Sequence, residues 1–272
     1  MNNIIEEKSN TGKWGLSSFA LKILAVVCMT FDHIGTLYFT SAIKHLHIPG
    51  IGSIAYPTNV YSLVLRGIGR IAFPLFVFLL VEGFCHTKNK ARYMIRLGIF
   101  AFLSEIPFDI FTFKKIICFT EQNVMFTLFI CFAMLWVLES ANMCRFNYPA
   151  KLVKKIGMIK LTYAVEFLTV VTAFAAAWLS KCSYSYGGVF LALAFYALRG
   201  SKGMCFVANA FFNIGLYANF ALQWTGCLSA VPIALYNGKP GKMRLKYFFY
   251  VYYPVHLVVL VLLRMYVIKP FS

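Results

Sequence analysis

Apolar residues run along this chain in long blocks separated by short polar interruptions. The pattern is neither the two-residue alternation of a half-buried strand nor the single stripe of a surface helix. Blocks of roughly 17–24 residues suffice to cross a ~30 Å hydrocarbon layer as helices. Nine such segments are predicted, at about residues 20–40, 60–84, 93–113, 122–140, 161–180, 186–199, 204–219, 222–237 and 246–268. The first, third, fourth, fifth and ninth are the clearest, and the sixth to eighth are short enough to read as tilted or re-entrant. The expected fold is all-α: a polytopic transmembrane helical bundle of about nine spans (8–10), one integral membrane domain over residues 1–272 with a short cytoplasmic segment at 1–18. Pro74, Pro107, Pro232 and Pro254 fall inside spans, where a neighbouring group must satisfy each freed carbonyl. Gly50-Ile51-Gly52 and Asn237-Gly238-Lys239-Pro240-Gly241 read as turns between spans.

Composition agrees with the pattern. The chain is 60% hydrophobic, 18% aromatic and 13% charged, with a mean hydropathy of +0.72, whereas soluble domains carry about 25% charged residues. The polar start with Glu6 and Glu7 does not read as a cleavable signal peptide. The net charge of +17 raises nucleic-acid binding, but no basic face with interleaved stacking aromatics is evident, so no nucleic-acid partner is expected. The basic residues instead obey the positive-inside rule. With the N-terminus inside, the inner segments hold Lys8, Lys13, Lys22, Lys88, Lys90, Arg92, Arg96, Arg145, Lys151, Lys154, Lys155, Lys160, Arg199, Lys202, Lys239, Lys242, Arg244 and Lys246. The outer segments hold only Lys44, Lys114, Lys115, Lys181 and Lys269. This split predicts N-inside, C-outside, with an odd number of spans. The eight cysteines are scattered and contain no CxxC, so neither a disulfide framework nor a metal site is expected.

Ionisable residues inside the spans carry the chemistry. Phe31-Asp32-His33-Ile34-Gly35 puts an acid and a histidine where a charge costs about 3 kcal/mol on insertion scales. The topology sets Asp32 and His33 in the outer half of span one. Arg66 and Arg70, at i and i+4, fall in the outer half of span two, and Glu105 and Asp109, again i and i+4, in the outer half of span three. Asn123 opens span four on the outer side and Tyr186 opens span six. His256 lies near the middle of span nine, and Glu82 and His86 near the inner mouth. Each group has an ordinary alternative: ion pairs that fix helix register for the acids and arginines, packing for His256, interface contacts for His45, His47 and His86. Their number at one level points to a site. Asp32 and His33 are roughly 100° apart on a helix and cannot easily pair with each other, so each needs a partner from another span. Asp32 is the better counter-ion, for example to Arg66 or Arg70, and His33 the better proton acceptor.

Several blocks resemble the TraX family of integral membrane proteins. They are Leu21-Lys22-Ile23 running to Asp32-His33-Ile34-Gly35; Gly69-Arg70-Ile71-Ala72-Phe73-Pro74-Leu75-Phe76 with Glu82-Gly83; Ser104-Glu105-Ile106-Pro107-Phe108-Asp109; Asn123-Val124-Met125-Phe126-Thr127-Leu128; Tyr186-Gly187-Gly188; Tyr236-Asn237-Gly238 with Gly241; and Lys246-Tyr247-Phe248-Phe249-Tyr250 followed by Tyr253-Pro254-Val255-His256-Leu257. The blocks keep their order over about residues 20–257. The family's named activity is acetylation of the N-terminal residue of F-type pilin. It more distantly resembles membrane acyltransferases that draw on cytoplasmic acetyl-CoA.

The resemblance implies a membrane acetyltransferase acting on an amine or hydroxyl of an envelope acceptor, a pilin-like peptide or surface glycan, with acetyl-CoA as donor, the lipid bilayer as surroundings and no metal. In that scheme His33 is the general base, Asp32, Glu105 and Asp109 complete the catalytic set with Glu105 or Asp109 orienting His33, and Arg66, Arg70, Asn123, Tyr186, His256 and Glu82 bind substrate. The basic inner loops, Lys151, Lys154, Lys155 and the cluster from Lys239 to Lys246, would attract the donor's phosphates. Two rivals come from other classes. An ion-coupled transporter would usually show two related halves with matching broken helices, and no such repeat is seen. A non-catalytic membrane assembly protein would need these polar residues only for folding.

Overall fold

In the computed structural model the described residues are 14–39, 43–48, 52–57, 60–142, 153, 157–217, 222–241 and 247–268. They form a helical protein whose elements match the apolar segments: α1 (Ser18–Phe39), α2 (Val60–Gly69), α3 (Ala72–His86), α4 (Lys90–Phe113), α5 (Val124–Asn142), α6 (Met158–Leu179), α7 (Ser185–Ala197), α8 (Lys202–Ala210) running into a π-helical turn (Phe211–Leu216), a 3-10 segment (Gln223–Ser229) leading into the short α9 (Ala230–Ala234), and α10 (Phe248–Leu263) ending in a π-helical turn (Arg264–Ile268). Two short strands follow α1. They form a two-stranded antiparallel hairpin, β1 (Ile43–Ile48) with β2 (Gly52–Pro57), paired from Ile43↔Pro57 to Ile48↔Gly52. Of the turn read at Gly50-Ile51-Gly52, positions 50 and 51 lie outside the described residues, as do Lys151, Lys154, Lys155, Lys242, Arg244 and Lys246.

Among the described residues five helical stretches are long and apolar enough to cross a membrane: Ser18–Leu37, Val60–His86, Val124–Asn142, Met158–Leu179 and Phe248–Tyr266. They coincide with the first, second, fourth, fifth and ninth of the about nine predicted spans. The segment 93–113 lies within the 24-residue α4, but Lys90, Arg92, Arg96, Glu105 and Asp109 make that helix too charged to belong with the five. The segment 186–199 gives 13 helical residues, about 20 Å at 1.5 Å per residue, short of a bilayer. The next two break into still shorter turns of mixed type. Large apolar side chains such as Phe102 and Leu103 on α4 and Phe167 and Leu168 on α6 remain exposed. A membrane helix has apolar surroundings on every side, so such faces suit lipid.

The chain divides into two compact units, residues 1–79 with 213–249 and residues 80–212 with 250–272. In the first, α1 packs along α2. Ser62 donates to the Gly35 carbonyl at 3.3 Å. A Cβ placed on Gly69 would fall 2.2 Å from Asp32 Cβ and 2.8 Å from its Cα, so the two helices meet through the space a side chain would take. The turn at residues 237–241 seats the start of α1: Ser18 N donates to the Lys239 carbonyl at 2.8 Å and Phe19 N to the Pro240 carbonyl at 3.2 Å. These loop carbonyls satisfy amides that a helix start leaves without intrahelical partners. In the second unit α5 is the central helix, packed by α4, α6 and α7 around the fully buried Phe132, Leu135 and Leu191.

Replacing Gly69 by alanine is expected to destabilise the protein by about 1–3 kcal/mol through overpacking against the Asp32 backbone, whereas Gly200→Ala, with nothing within 4 Å of the new methyl, should be near neutral. Thermal unfolding of the two purified variants checks the contrast, and equal melting temperatures would contradict the close approach.

Candidate functional site

The first unit holds an ion-paired cluster. Arg70 Nη2 donates to Asp32 Oδ1 at 2.6 Å, and Arg66 Nε lies 3.9 Å from the same oxygen. All three side chains are largely buried, so the acid from α1 and the two cations from α2 compensate each other away from water. The local sequence makes this possible. Arg66 and Arg70 share one face by their i,i+4 spacing, and Gly69 clears the path for Asp32. His33 follows Asp32 in the chain and is half-buried.

The helix is interrupted at Arg70-Ile71, between α2 and α3. The 3-10 segment supports this break. Thr225 Oγ1 donates to the Gly67 carbonyl at 2.7 Å. Gln223 Nε2 donates to Asn213 Oδ1 at 2.8 Å, with both residues about 1% exposed or less. At Gly226 an added Cβ would meet Asn213 Oδ1 at 2.1 Å and the Arg70 carbonyl at 3.2 Å. Asn213, Gln223 and Thr225 were not anticipated as site residues. Their signal in the sequence is three amide or hydroxyl side chains within otherwise apolar short segments.

In the second unit the remaining candidates fall into smaller groups. Asn123, fully buried, opens α5. Its Oδ1 accepts from Met125 N at 2.9 Å, its amide nitrogen donates to the Ala101 carbonyl at 2.8 Å and also to the Glu105 carboxylate, and its backbone N donates to Glu105 Oε2 at 3.2 Å. Asp109, 1% exposed, accepts from Cys118 N at 2.7 Å. Both carboxyls keep one buried oxygen, Glu105 Oε1 and Asp109 Oδ1, with no hydrogen-bond partner. Glu105 and Asp109, expected to orient His33, thus have partners of their own in the second unit.

Glu82 is buried and paired with Arg199, whose Nε lies 2.6 Å from Oε1, while His86 Nε2 sits 3.4 Å from Oε2. Lys90 pairs with Glu139. The Glu82–Arg199 and Lys90–Glu139 pairs each join residues more than forty positions apart, which no local pattern reveals. His256 is buried, its Nδ1 against the Tyr252 carbonyl at 2.9 Å and its ring stacked on Tyr252 at 5.2 Å. Tyr186 is exposed in the first turn of α7.

Two further observations bear on chemistry. Between α6 and α7, burial raises the Cys182 thiol above its ordinary pKa, which suits a packing residue, not a nucleophile. Among the described residues no three His, Cys, Asp or Glu side chains gather in a way that would hold a metal ion.

Helices long and apolar enough to span a bilayer, with ionised residues paired inside them, define a polytopic helical membrane protein. The chain belongs to the TraX family: the family model described as TraX protein matches residues 17–264. A curated relative from Dichelobacter nodosus, named "Probable fimbrial assembly protein FimC, serogroup H1", is 27% identical over 273 residues, spanning 92% of this chain and 96% of that protein. No solved structure matches the chain.

The geometry makes Arg70 the principal counter-ion of Asp32. Arg70→Gln is expected to lower stability by about 3 kcal/mol by leaving a largely buried carboxylate uncompensated, and Arg66→Gln by less. Adding Asp32→Asn to Arg70→Gln should restore part of the loss. Unfolding of the single and double variants measures the coupling, and additive effects would show that the pair does not interact.

Proposed function

We propose that this protein is a membrane acetyltransferase that moves an acetyl group from cytoplasmic acetyl-CoA to an amine or hydroxyl of a cell-envelope acceptor, a pilin-like peptide or a surface glycan. It would sit in the bacterial inner membrane with its N-terminus inside and C-terminus outside. Family membership supports acyl transfer. The observation that carries the reading is the cluster of Asp32, Arg66 and Arg70 next to His33. A membrane helix tolerates such groups at a cost that function commonly explains.

The step itself is a nucleophilic acyl transfer. The acceptor nitrogen or oxygen attacks the thioester carbonyl carbon, a C–N or C–O bond forms, and the C–S bond breaks. His33 takes the acceptor's proton as the bond forms and returns it to the departing CoA thiolate. Arg66 and Arg70, fixed by Asp32, stabilise the oxyanion that develops on the carbonyl oxygen. Asp32 in this scheme holds the arginines and does not exchange a proton.

The fimbrial-assembly name of the Dichelobacter nodosus relative favours a second reading, a non-catalytic role in assembling a surface fibre. The two readings separate in one assay. Purified protein in lipid nanodiscs, given isotope-labelled acetyl-CoA and envelope extract from a deletion strain, should transfer label to an acceptor. His33→Ala should slow that transfer by about a hundredfold or more while the variant still folds. Undiminished transfer by the variant removes His33 from the mechanism. No transfer by the wild type, together with loss of surface fibres in the deletion strain, supports assembly instead.

A further inference from the structure

Arg96 of α4 differs from Lys90 and Arg199 of the second unit. Lys90 is matched to Glu139 and Arg199 to Glu82. Arg96 has aromatic neighbours instead: its guanidinium lies 5.5 Å from the Tyr93 ring centroid and 5.8 Å from that of Tyr250. Its Nε is buried and has no hydrogen-bond partner, and among the described residues no carboxylate pairs with it.

The aromatic walls are held independently of any ligand. Tyr93 packs on Phe132 at 4.6 Å and meets Tyr250 edge-on at 6.4 Å, where the two side chains also hydrogen-bond. Phe100 stacks on Tyr250 at 5.4 Å. Across from Tyr93, Gly83 has no side chain, and a Cβ there would come within 3.0 Å of the tyrosine hydroxyl. The clamp is therefore prebuilt.

A ring satisfies the face of a guanidinium and leaves its in-plane N–H groups still needing acceptors. Those edge donors form a fork that matches the oxygens of a phosphate. The surroundings add positive potential: Lys88 lies just before the same helix and Arg92 in its first turn, which contains no acid.

We infer that Arg96, clamped by Tyr93 and Tyr250, is a binding site for a phosphate group. Two molecules bring that chemistry to this protein: the coenzyme A moiety of the acyl donor, in which case the inference rests on the acetyl-transfer reading, and the headgroup of an anionic phospholipid. Either ligand supplies the acceptors that the buried Nε lacks.

The test uses the full-length protein in nanodiscs of zwitterionic lipid. Binding of coenzyme A and of pantetheine, which has no phosphate, is measured by calorimetry for wild type, Arg96→Gln and Arg96→Lys. Retention of phosphatidylglycerol is measured in parallel by native mass spectrometry. The expected result is that Arg96→Gln weakens coenzyme A binding about tenfold or more while leaving pantetheine unchanged, and that Arg96→Lys, which keeps the charge and loses the fork, falls between. If Arg96→Gln does not fold, the lysine variant alone decides, by a selective loss for coenzyme A. Wild type that fails to bind coenzyme A but loses phosphatidylglycerol on substitution keeps the phosphate site and rejects the acetyl donor. Wild type that binds coenzyme A with no change in either ligand on substitution overturns the Arg96 site and leaves the acetyl-transfer reading intact. No effect on lipid and no coenzyme A binding overturns both.

Discussion

The contact between Asp32 and Arg70 sets the terms for the first unit. A carboxylate within an apolar helix needs a partner, and for Asp32 that partner is a guanidinium, which reaches it only if the helices approach closely. Gly69 supplies the approach, and Ser62 fastens the same pair of helices through the Gly35 carbonyl. The interruption after α2 follows at once, at Arg70-Ile71. It leaves carbonyls without intrahelical partners, and Thr225 takes one of them at Gly67. The polar pair Asn213 and Gln223 lies against Gly226, which also approaches the Arg70 carbonyl, and completes the support. A charge pair, a helix break and a short 3-10 segment thus form one connected arrangement.

The second unit meets the same constraint in three ways. Glu82 and Glu139 are matched by full cations, Arg199 and Lys90. Glu105 and Asp109 are held instead by neutral donors, from Asn123 and from the Cys118 backbone. Arg96 leans on aromatic rings. These choices differ in what they leave unsatisfied. A matched ion pair is closed, whereas a carboxylate on an amide and a guanidinium on a ring each keep one atom in want of a partner. Unfinished electrostatics inside an apolar bundle is where a ligand gains most, because the low dielectric strengthens whatever bond is made.

Much of the fold was legible because apolar run length is a direct physical requirement of a bilayer. Helix ends fall within a few residues of the expected limits for α1, α5 and α6. Segments between residues 186 and 237 were harder to read. Thirteen residues or fewer can be a short helix, a tilted one or a turn of another type, and hydropathy does not separate these. The charged α4 showed the opposite difficulty, since its length fits a span and its charge does not.

The sequence by itself determined that the chain is a helical membrane protein, which residues break the apolar pattern, and that Asp32 needed a partner from another span, for example Arg66 or Arg70. Those conclusions follow from composition, length and spacing, each of which is local. Only the tertiary structure decided that Arg70 is nearest to Asp32, that Glu105 binds Asn123, that Arg199 neutralises Glu82 and that Arg96 rests on two tyrosines. The physical reason is that a buried charge requires some partner, a rule any sequence displays, whereas which partner it takes depends on helix packing between residues far apart in the chain.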